Sequence, residues 1–266
     1  MMIVGYVLAI LVGVTLGLVG SGGTILTVPI MVYLMGVDPV LATTYSLFAV
    51  GVTSLAGSVQ GIYTREADFN KVFLFGLPSL LMVFVTRSYI LPLVPEVIII
   101  GNWRFAQEFV LMVLFACVML ISGGMTIRGA STKMDQVLLV GKNNAVVLMI
   151  QGLFVGLVTG VVGAGGGFLI IPALVNFYGM PMKRAVTTSL VIISINSFFG
   201  ILGDIEKFPR FDWSILLGYT LLAIIGIFFG LKASARIHGR SLRKGFGWLL
   251  MLVALYIIIR EVYIEQ

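Results

Sequence analysis

Long apolar runs separated by short polar segments make up most of this chain. Several runs reach the roughly 20 residues that a helix needs to cross a hydrocarbon core about 30 Å thick. The alternating pattern of a membrane β-barrel is missing, so every spanning segment is predicted to be a helix. The predicted helices are Met2–Val19, Ile25–Met35, Leu41–Ile62, Asn70–Leu93, Phe105–Ile127, Asn143–Val162, Phe168–Tyr178, Ala185–Leu202, Trp213–Leu231 and Gly245–Tyr263.

The pattern of the first half returns in the second half, 143 residues later. Gly17-Leu-Val-Gly-Ser-Gly-Gly-Thr-Ile-Leu-Thr-Val-Pro29 aligns without a gap with Gly160-Val-Val-Gly-Ala-Gly-Gly-Gly-Phe-Leu-Ile-Ile-Pro172. Downstream, Ala42-Thr-Thr-Tyr-Ser-Leu47 aligns in the same register with Ala185-Val-Thr-Thr-Ser-Leu190. Chance does not readily place so many glycines and a proline in one register, so we interpret the chain as an internal duplication.

Each half is predicted to contain a re-entrant hairpin, broken at its glycines, followed by three full spans. The odd number of spans inverts the second repeat relative to the first. This topology places 12 basic residues on one side, namely Arg65, Lys71, Arg128, Lys133, Lys142, Lys183, Arg184, Lys232, Arg236, Arg240, Arg243 and Lys244. The other side receives 5, namely Arg87, Arg104, Lys207, Arg210 and Arg260. The positive-inside rule then puts the richer side in the cytoplasm and both termini outside.

This topology divides the chain into a first repeat over residues 1–128, a cytoplasmic linker over residues 129–142 and a second repeat over residues 143–266. The alternative is that each broken pair crosses the membrane completely. The Arg128–Lys142 loop would then lie opposite Lys183 and Arg184, and the charge bias would fall. We therefore prefer the hairpin topology.

Composition supports a polytopic membrane protein. Apolar residues make up 59% of the chain, charged residues 11%, and the mean hydropathy is +1.12, far from a soluble domain. The pI of about 9.5 reflects basic loops that orient the spans, and no nucleic-acid partner is expected. The N-terminus lacks a signal-peptide pattern. The single cysteine, Cys117, permits neither an internal disulfide nor a cysteine metal site.

The glycine breaks predict an anion site. A helix broken inside a bilayer exposes backbone groups that only protein or a water-filled cavity can satisfy. The helices that begin after the breaks, near Ile25 and Phe168, offer free N–H donors and the positive end of a helix dipole. Inverted pairs of such helix starts near the midplane are typical of secondary transporters. The candidate substrate-binding residues are Gly22, Gly23, Thr24, Thr44, Ser46, Gly165, Gly166, Gly167, Thr187, Ser189 and Asn196.

Each of these features also has a structural interpretation. The Gly13/Gly17 and Gly156/Gly160 pairs fit close helix packing. Serine and threonine hydroxyls can bond back to their own helix, and Asn196 or Gln151 can join neighbouring helices. A dinucleotide-binding interpretation of the glycines fails because the required βαβ unit is missing.

Charged side chains inside the spans are scarce. Carboxylates lie in or near predicted loops, so a buried proton relay has no clear place. Arg87 could lie within a span, and we expect it to snorkel to the outer surface. His238 is expected to be solvated in a basic loop. We predict no catalytic residues, no metal and no cofactor, and therefore no enzymatic activity.

Gly163-Ala-Gly-Gly-Gly167 with Pro172, together with Ala185-Val-Thr-Thr-Ser-Leu190, resembles the hallmark of the sulfite exporter TauE/SafE family. In the first copy, Ser21, Thr24 and Tyr45 depart from that pattern. The resemblance extends over nearly the whole chain. It implies a transporter, usually an exporter, of sulfite or small organosulfur anions in the bacterial inner membrane. The expected partners are such an anion and membrane lipid, and a homo-oligomer is left open.

Export by uniport is the simplest mechanism that we can derive. The cell interior is negative, so each anionic charge moved outward gains about 2.3 kcal/mol per 100 mV. Uptake would require a coupling ion. An anion channel, an ion-coupled importer and a non-transporting membrane scaffold are the alternatives.

Overall fold

A computed structural model describes residues 2–20, 22–63, 66–95, 97–100, 103–131, 145–163, 165–234, 237 and 239–264. Most of the predicted linker at 129–142 lies outside the described residues, as do Ser21, Arg65 and His238. Seven of the described helices are long and apolar enough to cross a membrane. The prediction of a multi-pass, helical membrane protein is therefore confirmed.

All of the predicted helices are present, with ends shifted by a few residues. In chain order they are α1 (Met2–Val19), α2 (Gly22–Tyr33), α3 (Pro39–Tyr63), α4 (Phe69–Leu93), α5 (Gln107–Ser131), α6 (Ala145–Val162), α7 (Gly167–Pro172, continued by the π-helical turn Ala173–Phe177), α8 (Met182–Gly203), α9 (Trp213–Ser234) and α10 (Gly239–Ile264). A short 3₁₀ helix, Ile205–Arg210, connects α8 to α9.

A small β-hairpin stands where the sequence pattern predicted a loop and the start of a helix. Strand β1 (Val97–Ile100) pairs antiparallel with β2 (Trp103–Ala106). The predicted helix start at Phe105 is therefore wrong, and α5 begins at Gln107. Short apolar runs fit a strand as well as a helix, and β1 is rich in the β-branched residues that strands favour.

The α1–α2 pair forms a hairpin. Gly20 turns the chain with a φ of +74°, a conformation that glycine adopts without strain. The chain then runs back along α1, because Gly23 packs against the Val12 carbonyl and Met35 reaches Gly5. Both ends of the pair consequently lie at one end of the bundle, as the hairpin interpretation requires.

The first helix of each repeat packs in parallel against a helix of the other repeat. Helix α1 packs on α9, and the equivalent helix α6 packs on α4. The approach is so close that a Cβ added to Gly13, Gly17, Gly156 or Gly160 would overlap atoms of the facing helix. The packing interpretation of these four glycines is therefore confirmed.

Helices α3 and α8 occupy equivalent positions in the two repeats and cross each other antiparallel. Gly51 faces Ser197 near the centre of this crossing. Gly61 faces Thr187 towards one end, and Leu47 faces Gly200 towards the other. An inverted repeat would make these contacts, with its two-fold axis perpendicular to both helices. The position of that axis in the bilayer stays a prediction.

The chain directions define two ends of the bundle. The N-terminal end holds the start of α1, the α2–α3 connection and the α8–α9 connection, which includes Lys207 and Arg210. The opposite end holds the α3–α4 connection and the start of α8, where Lys183 and Arg184 lie. The opposite end is the one that the charge count places in the cytoplasm.

Cysteine labelling tests this orientation. In a Cys117→Ala background, Arg210→Cys should react with a membrane-impermeant maleimide in intact spheroplasts. Lys183→Cys should react only after permeabilisation. Both native side chains are exposed in the structure, so accessibility reports the side of the membrane. The reverse pattern would invert the predicted topology.

Gly230→Ala should destabilise the protein, because the added Cβ would overlap the Val14 carbonyl oxygen of α1. Overpacking of this kind costs about 1–3 kcal/mol, which thermal unfolding in detergent would detect. Gly124→Ala is the matched control, since its Cβ would meet no atom within 4 Å. That variant should be neutral or slightly stabilised. Equal melting temperatures for the two variants would contradict the close α1–α9 contact.

Candidate functional site

Two unpaired hydroxyls lie near the centre of the α3–α8 crossing. Ser54 and Ser197 occupy equivalent repeat positions, and both are fully buried. Neither Oγ atom has a hydrogen-bond partner among the described residues. Ser197 lies at the contact with Gly51, and Ser54 is one helical turn further along α3. A buried hydroxyl without a partner is costly, so this pair marks a place where a polar ligand would be stabilised.

The break of the second hairpin reaches this same place. Gly165 has a φ of +63°, and a Cβ added to it would lie 3.1 Å from both Ser197 Oγ and Val50 Cγ1. Gly166 caps α7 with a φ of +68° and packs against Thr159. Helix α7, which starts at Gly167, contacts α2 of the first repeat. The backbone at the start of α7 therefore borders the buried hydroxyl of Ser197.

Asn196 lies beside Ser197 and is completely buried. Its Nδ2 donates to Ser79 Oγ of α4 at 2.7 Å, while its Oδ1 has no partner in the described part of the chain. The Ser79 hydroxyl can either donate or accept, so exchanging the two amide atoms would turn an N–H towards the free side. Asn196 thus joins two helices and retains one unused hydrogen-bonding atom.

The four predicted hydroxyls at the starts of α3 and α8 do not form one site. Because these helices are antiparallel, Thr44 and Ser46 lie towards the N-terminal end, and Thr187 and Ser189 towards the opposite end. The contact partner of Thr187 is Gly61, which lies about 25 Å along α3 from Thr44 at 1.5 Å per residue. A small anion could not contact both pairs at once.

Three of these hydroxyls already donate within the protein. The bonds run from Thr44 to Asp204 Oδ2 at 2.7 Å, from Thr187 to the Lys183 carbonyl at 3.2 Å, and from Ser189 to the Val186 carbonyl at 2.8 Å. Ser46 Oγ is buried without a partner among the described residues. Ser46 is therefore the one of the four that keeps a free donor.

The hairpin tips reach opposite ends of the crossing. Gly20 packs against Val186 and Ser189 at the start of α8. Gly163, with a φ of +71°, packs against Thr43 at the start of α3 and against Arg87. Of the other first-hairpin candidates, Gly22 begins α2, Gly23 packs on α1 and Thr24 is buried. Each hairpin tip thus packs against a helix start of the other repeat.

Arg87 does not reach the surface, so the prediction that it snorkels is wrong. Its side chain is buried, and Nη1 donates to Asp204 Oδ2 at 2.6 Å and to Thr43 Oγ1 at 3.0 Å. Lys207 binds the other oxygen of Asp204 at 2.8 Å. The sequence pattern missed this pair because its members are 117 positions apart. Gly203 allows the close approach, since its absent Cβ would lie 2.7 Å from Arg87 Cβ.

Asp204 follows the last residue of α8 and remains ionised despite burial. Burial alone would raise the pKa of this carboxyl group. The charges of Arg87 and Lys207, with the hydrogen bonds from Lys207 and Thr44, outweigh that effect and hold its pKa below the ordinary value of 3.8. The ionised carboxylate therefore stabilises the fold at neutral pH, and this contribution is lost as the pH falls through the lowered pKa.

Asp204→Asn should destabilise the protein by about 3–5 kcal/mol at pH 7, because it leaves the Arg87 charge buried without a counter-charge. The difference from wild type should persist down to about pH 4 and shrink only below that, as wild-type Asp204 becomes protonated. Asp212→Asn is the control, since its exposed side chain accepts only capping bonds that an amide oxygen can replace. Thermal unfolding across this pH range measures both variants, and similar losses in the two would contradict the ion-pair assignment.

Comparison with known proteins identifies relatives over almost the full length of the chain. A probable membrane transporter protein of Xylella fastidiosa (strain 9a5c) is 29% identical over 262 residues, which covers 94% of this chain and 92% of that protein. The probable membrane transporter protein YunE of Bacillus subtilis (strain 168) is 23% identical over 278 residues, covering 97% and 96%. A probable membrane transporter protein of Haemophilus influenzae is 25% identical over 269 residues, covering 94% and 95%. No solved structure matches the chain.

The family comparison agrees with the repeated glycine motif. The family model described as sulfite exporter TauE/SafE matches residues 6–257, which include both hairpins and the α3–α8 crossing. The chain therefore belongs to the sulfite exporter TauE/SafE family of membrane transporters.

Proposed function

We propose that this transporter exports sulfite or a related small organosulfur anion by alternating access. The anion would be held near the centre of the α3–α8 crossing, beside Ser54, Ser197, Gly165 and Asn196. The observation that carries this proposal is the pair of buried, unpaired hydroxyls at equivalent repeat positions, of which Ser197 borders the backbone of a broken helix at Gly165.

The chemistry of this place suits an anion. Serine hydroxyls, the Asn196 amide and the backbone N–H groups at the start of α7 are neutral donors. Such donors can stabilise an anion without burying a second charge. The start of α7 also carries the positive end of a short helix dipole. The name of the matching family favours sulfite among small anions.

The positions of the hairpin tips support alternating access. The tip at Gly20 would close the cytoplasmic end by packing on Ser189, and the tip at Gly163 would close the outer end by packing on Thr43. Rocking of one repeat against the other would release one tip while keeping the other in place. The path of the anion would then have two halves, an outer half-path and a cytoplasmic half-path, which meet at the central site. The outer half-path would contain Thr44 and Ser46, and the cytoplasmic half-path would contain Thr187 and Ser189.

The membrane potential favours export over import. An inner membrane that is negative inside drives an anion outward by about 2.3 kcal/mol per charge and 100 mV. A uniporter could use this gradient without a coupling ion. Import would need an ion site that supplies the opposing energy.

Flux into and out of proteoliposomes tests the central site. Ser54→Ala and Ser197→Ala should each weaken the apparent affinity for sulfite by about 1–3 kcal/mol, because each removes a donor from a dehydrated site. Ser58→Ala is the control, since this buried hydroxyl lies one turn from Ser54 but already donates to the Leu55 carbonyl at 2.8 Å. Its flux should match wild type.

Two results would contradict the proposal. Unchanged affinity in folded Ser54→Ala and Ser197→Ala would move the site elsewhere. Wild-type flux that rises linearly with sulfite, without saturation, would indicate a channel.

A further inference from the structure

We infer that Arg87 forms a second oxyanion-binding subsite, located at the N-terminal end of the path, where it binds two oxygens of the anion through the Nε/Nη2 edge of its guanidinium group. This inference rests on the proposed anion transport. It differs from the central site because it uses a charged residue near one end of the α3–α8 crossing.

Arg87 has hydrogen-bond donors that no described residue accepts. A guanidinium group has five N–H donors in a fixed planar fork. Nη1 uses both of its donors, on Asp204 and Thr43. Nε and Nη2 are buried and have no partner among the described residues. The unused atoms thus form one complete edge of the fork, which is the edge that binds carboxylates, sulfonates and phosphates in bidentate fashion.

Glycine backbone lies against the Nη2 atom of this edge. Gly163 lies so close to Nη2 that any Cβ there would overlap it. The neighbouring hydroxyl of Thr86 is also buried and unpaired within the described structure. Thr86 in turn faces Gly160, one turn before Gly163 on α6. Nη2 of the free edge therefore packs against the Gly163 backbone, and the adjacent residue Thr86, with its unpaired hydroxyl, packs against Gly160 one turn earlier.

The ion pairs around Arg87 contain more cations than carboxylates. Arg87 and Lys207 share a single buried carboxylate, that of Asp204. Asp38 acts on Lys207 electrostatically but forms no ion pair with it in the described part of the chain. Arg87 and Asp204 are buried and Lys207 is partly exposed, and the three side chains together carry one more positive than negative charge. A monovalent oxyanion at the Nε/Nη2 edge would neutralise this group.

The two repeats differ at the positions that form this charged group. Thr86 faces Gly160 as Gly230 faces the equivalent Gly17, so the counterparts of Thr86 and Arg87 are Gly230 and Leu231. The counterparts of Asp204 and Thr43 are Gly61 and Val186. Both glycines serve helix packing, against Val14 and Thr187. The symmetry-related place at the opposite end thus has neither the cation nor its counter-ion. The charged subsite exists at only one end, so it distinguishes the outer half-path from the cytoplasmic one.

The position of Arg87 in α4 is consistent with a functional constraint. It belongs to Thr86–Ile90, one of two π-helical turns in α4, the other being Val72–Gly76. Such turns are frequently found at functional sites, where the extra residue redirects a side chain. Here the turn includes both Thr86 and Arg87, the two residues of α4 whose buried polar atoms have no partner among the described residues.

The test is isothermal titration of the purified full-length protein with sulfite, with methanesulfonate as a second oxyanion and chloride as a single-atom anion. Arg87→Lys keeps the charge and can still bind Asp204, but it lacks the Nε/Nη2 edge. We expect sulfite and methanesulfonate to bind Arg87→Lys at least about tenfold more weakly than wild type. Chloride binding should change little. Arg210→Lys is the control, because it is the same substitution on an exposed arginine at the same end.

A second variant separates loss of binding from loss of folding. Arg87→Gln/Asp204→Asn removes both charges together and leaves no uncompensated buried charge. It should also lose oxyanion affinity by about tenfold or more while retaining a cooperative melting transition. Wild-type affinity for sulfite in either folded variant would overturn the Arg87 subsite and leave the proposed transport intact. Failure of the wild-type protein to bind or transport any of these oxyanions would overturn the proposed function as well.

Discussion

The constraint that shapes this protein is that a helix broken at membrane depth must hide its free backbone groups from lipid. Gly20 and Gly23 of the first break and Gly163 and residues 165–167 of the second are buried, and each break packs on a helix of the other repeat. The first tip packs on α8 and the second on α3 and α4. Each break is thus covered by the other repeat, which ties the duplication to the exchange of contacts between repeats.

Close helix packing makes this exchange possible. The glycines at positions 13, 17, 226 and 230 let α1 and α9 approach until backbone meets backbone. Helix α6 meets α4 in the same way. Lipid gives no hydrophobic advantage to helix contact, so association depends on such packing and on polar contacts between helices. The first helix of each hairpin, α1 or α6, is thereby fixed to the other repeat, and this contact positions both breaks.

Symmetry accounts for the central crossing, and departure from symmetry accounts for the charged end. Ser54 and Ser197 are equivalent and lie near the centre, where an anion could be reached from either side. Arg87 and Asp204 have no equivalents, and they lie at one end. A transporter that used only the symmetric features would treat its two sides alike, so we assign the directional features of the path to the charged pair.

Much of this could be predicted from the amino-acid sequence, for identifiable reasons. Helix positions follow from apolar runs, and the breaks follow from clustered glycines that destabilise a helix. The duplicated register places α3 and α8 in equivalent roles. The odd span count predicts that α3 and α8 run in opposite directions, and the structure adds that they cross each other. The helical class and the family followed from these local patterns.

The remaining features depend on contacts between distant residues. Arg87 was expected to reach the surface because its distance from the end of α4 allowed it, and its partner Asp204 was assigned to a loop. Ser54 and Ser197 align in the repeat register, but nothing local separates their unpaired hydroxyls from that of Ser58, which bonds back to its own helix. The hydroxyls at the starts of α3 and α8 were grouped by sequence position, although antiparallel packing moves them apart.

The antiparallel α3–α8 crossing is the central claim, and disulfide cross-linking tests it most directly. In a Cys117→Ala background, Gly61→Cys with Thr187→Cys should cross-link under mild oxidation, since a Cβ on Gly61 would lie 3.1 Å from Thr187 Cβ. A protease site inserted between residues 132 and 144 lets the two repeats be cut apart. A cross-linked protein would then run as one species on a gel until the disulfide is reduced, and as two fragments afterwards. The account predicts this cross-link and none for Gly61→Cys with Gly200→Cys. A cross-link in the second pair and none in the first would mean that α3 and α8 run parallel, which would contradict the account.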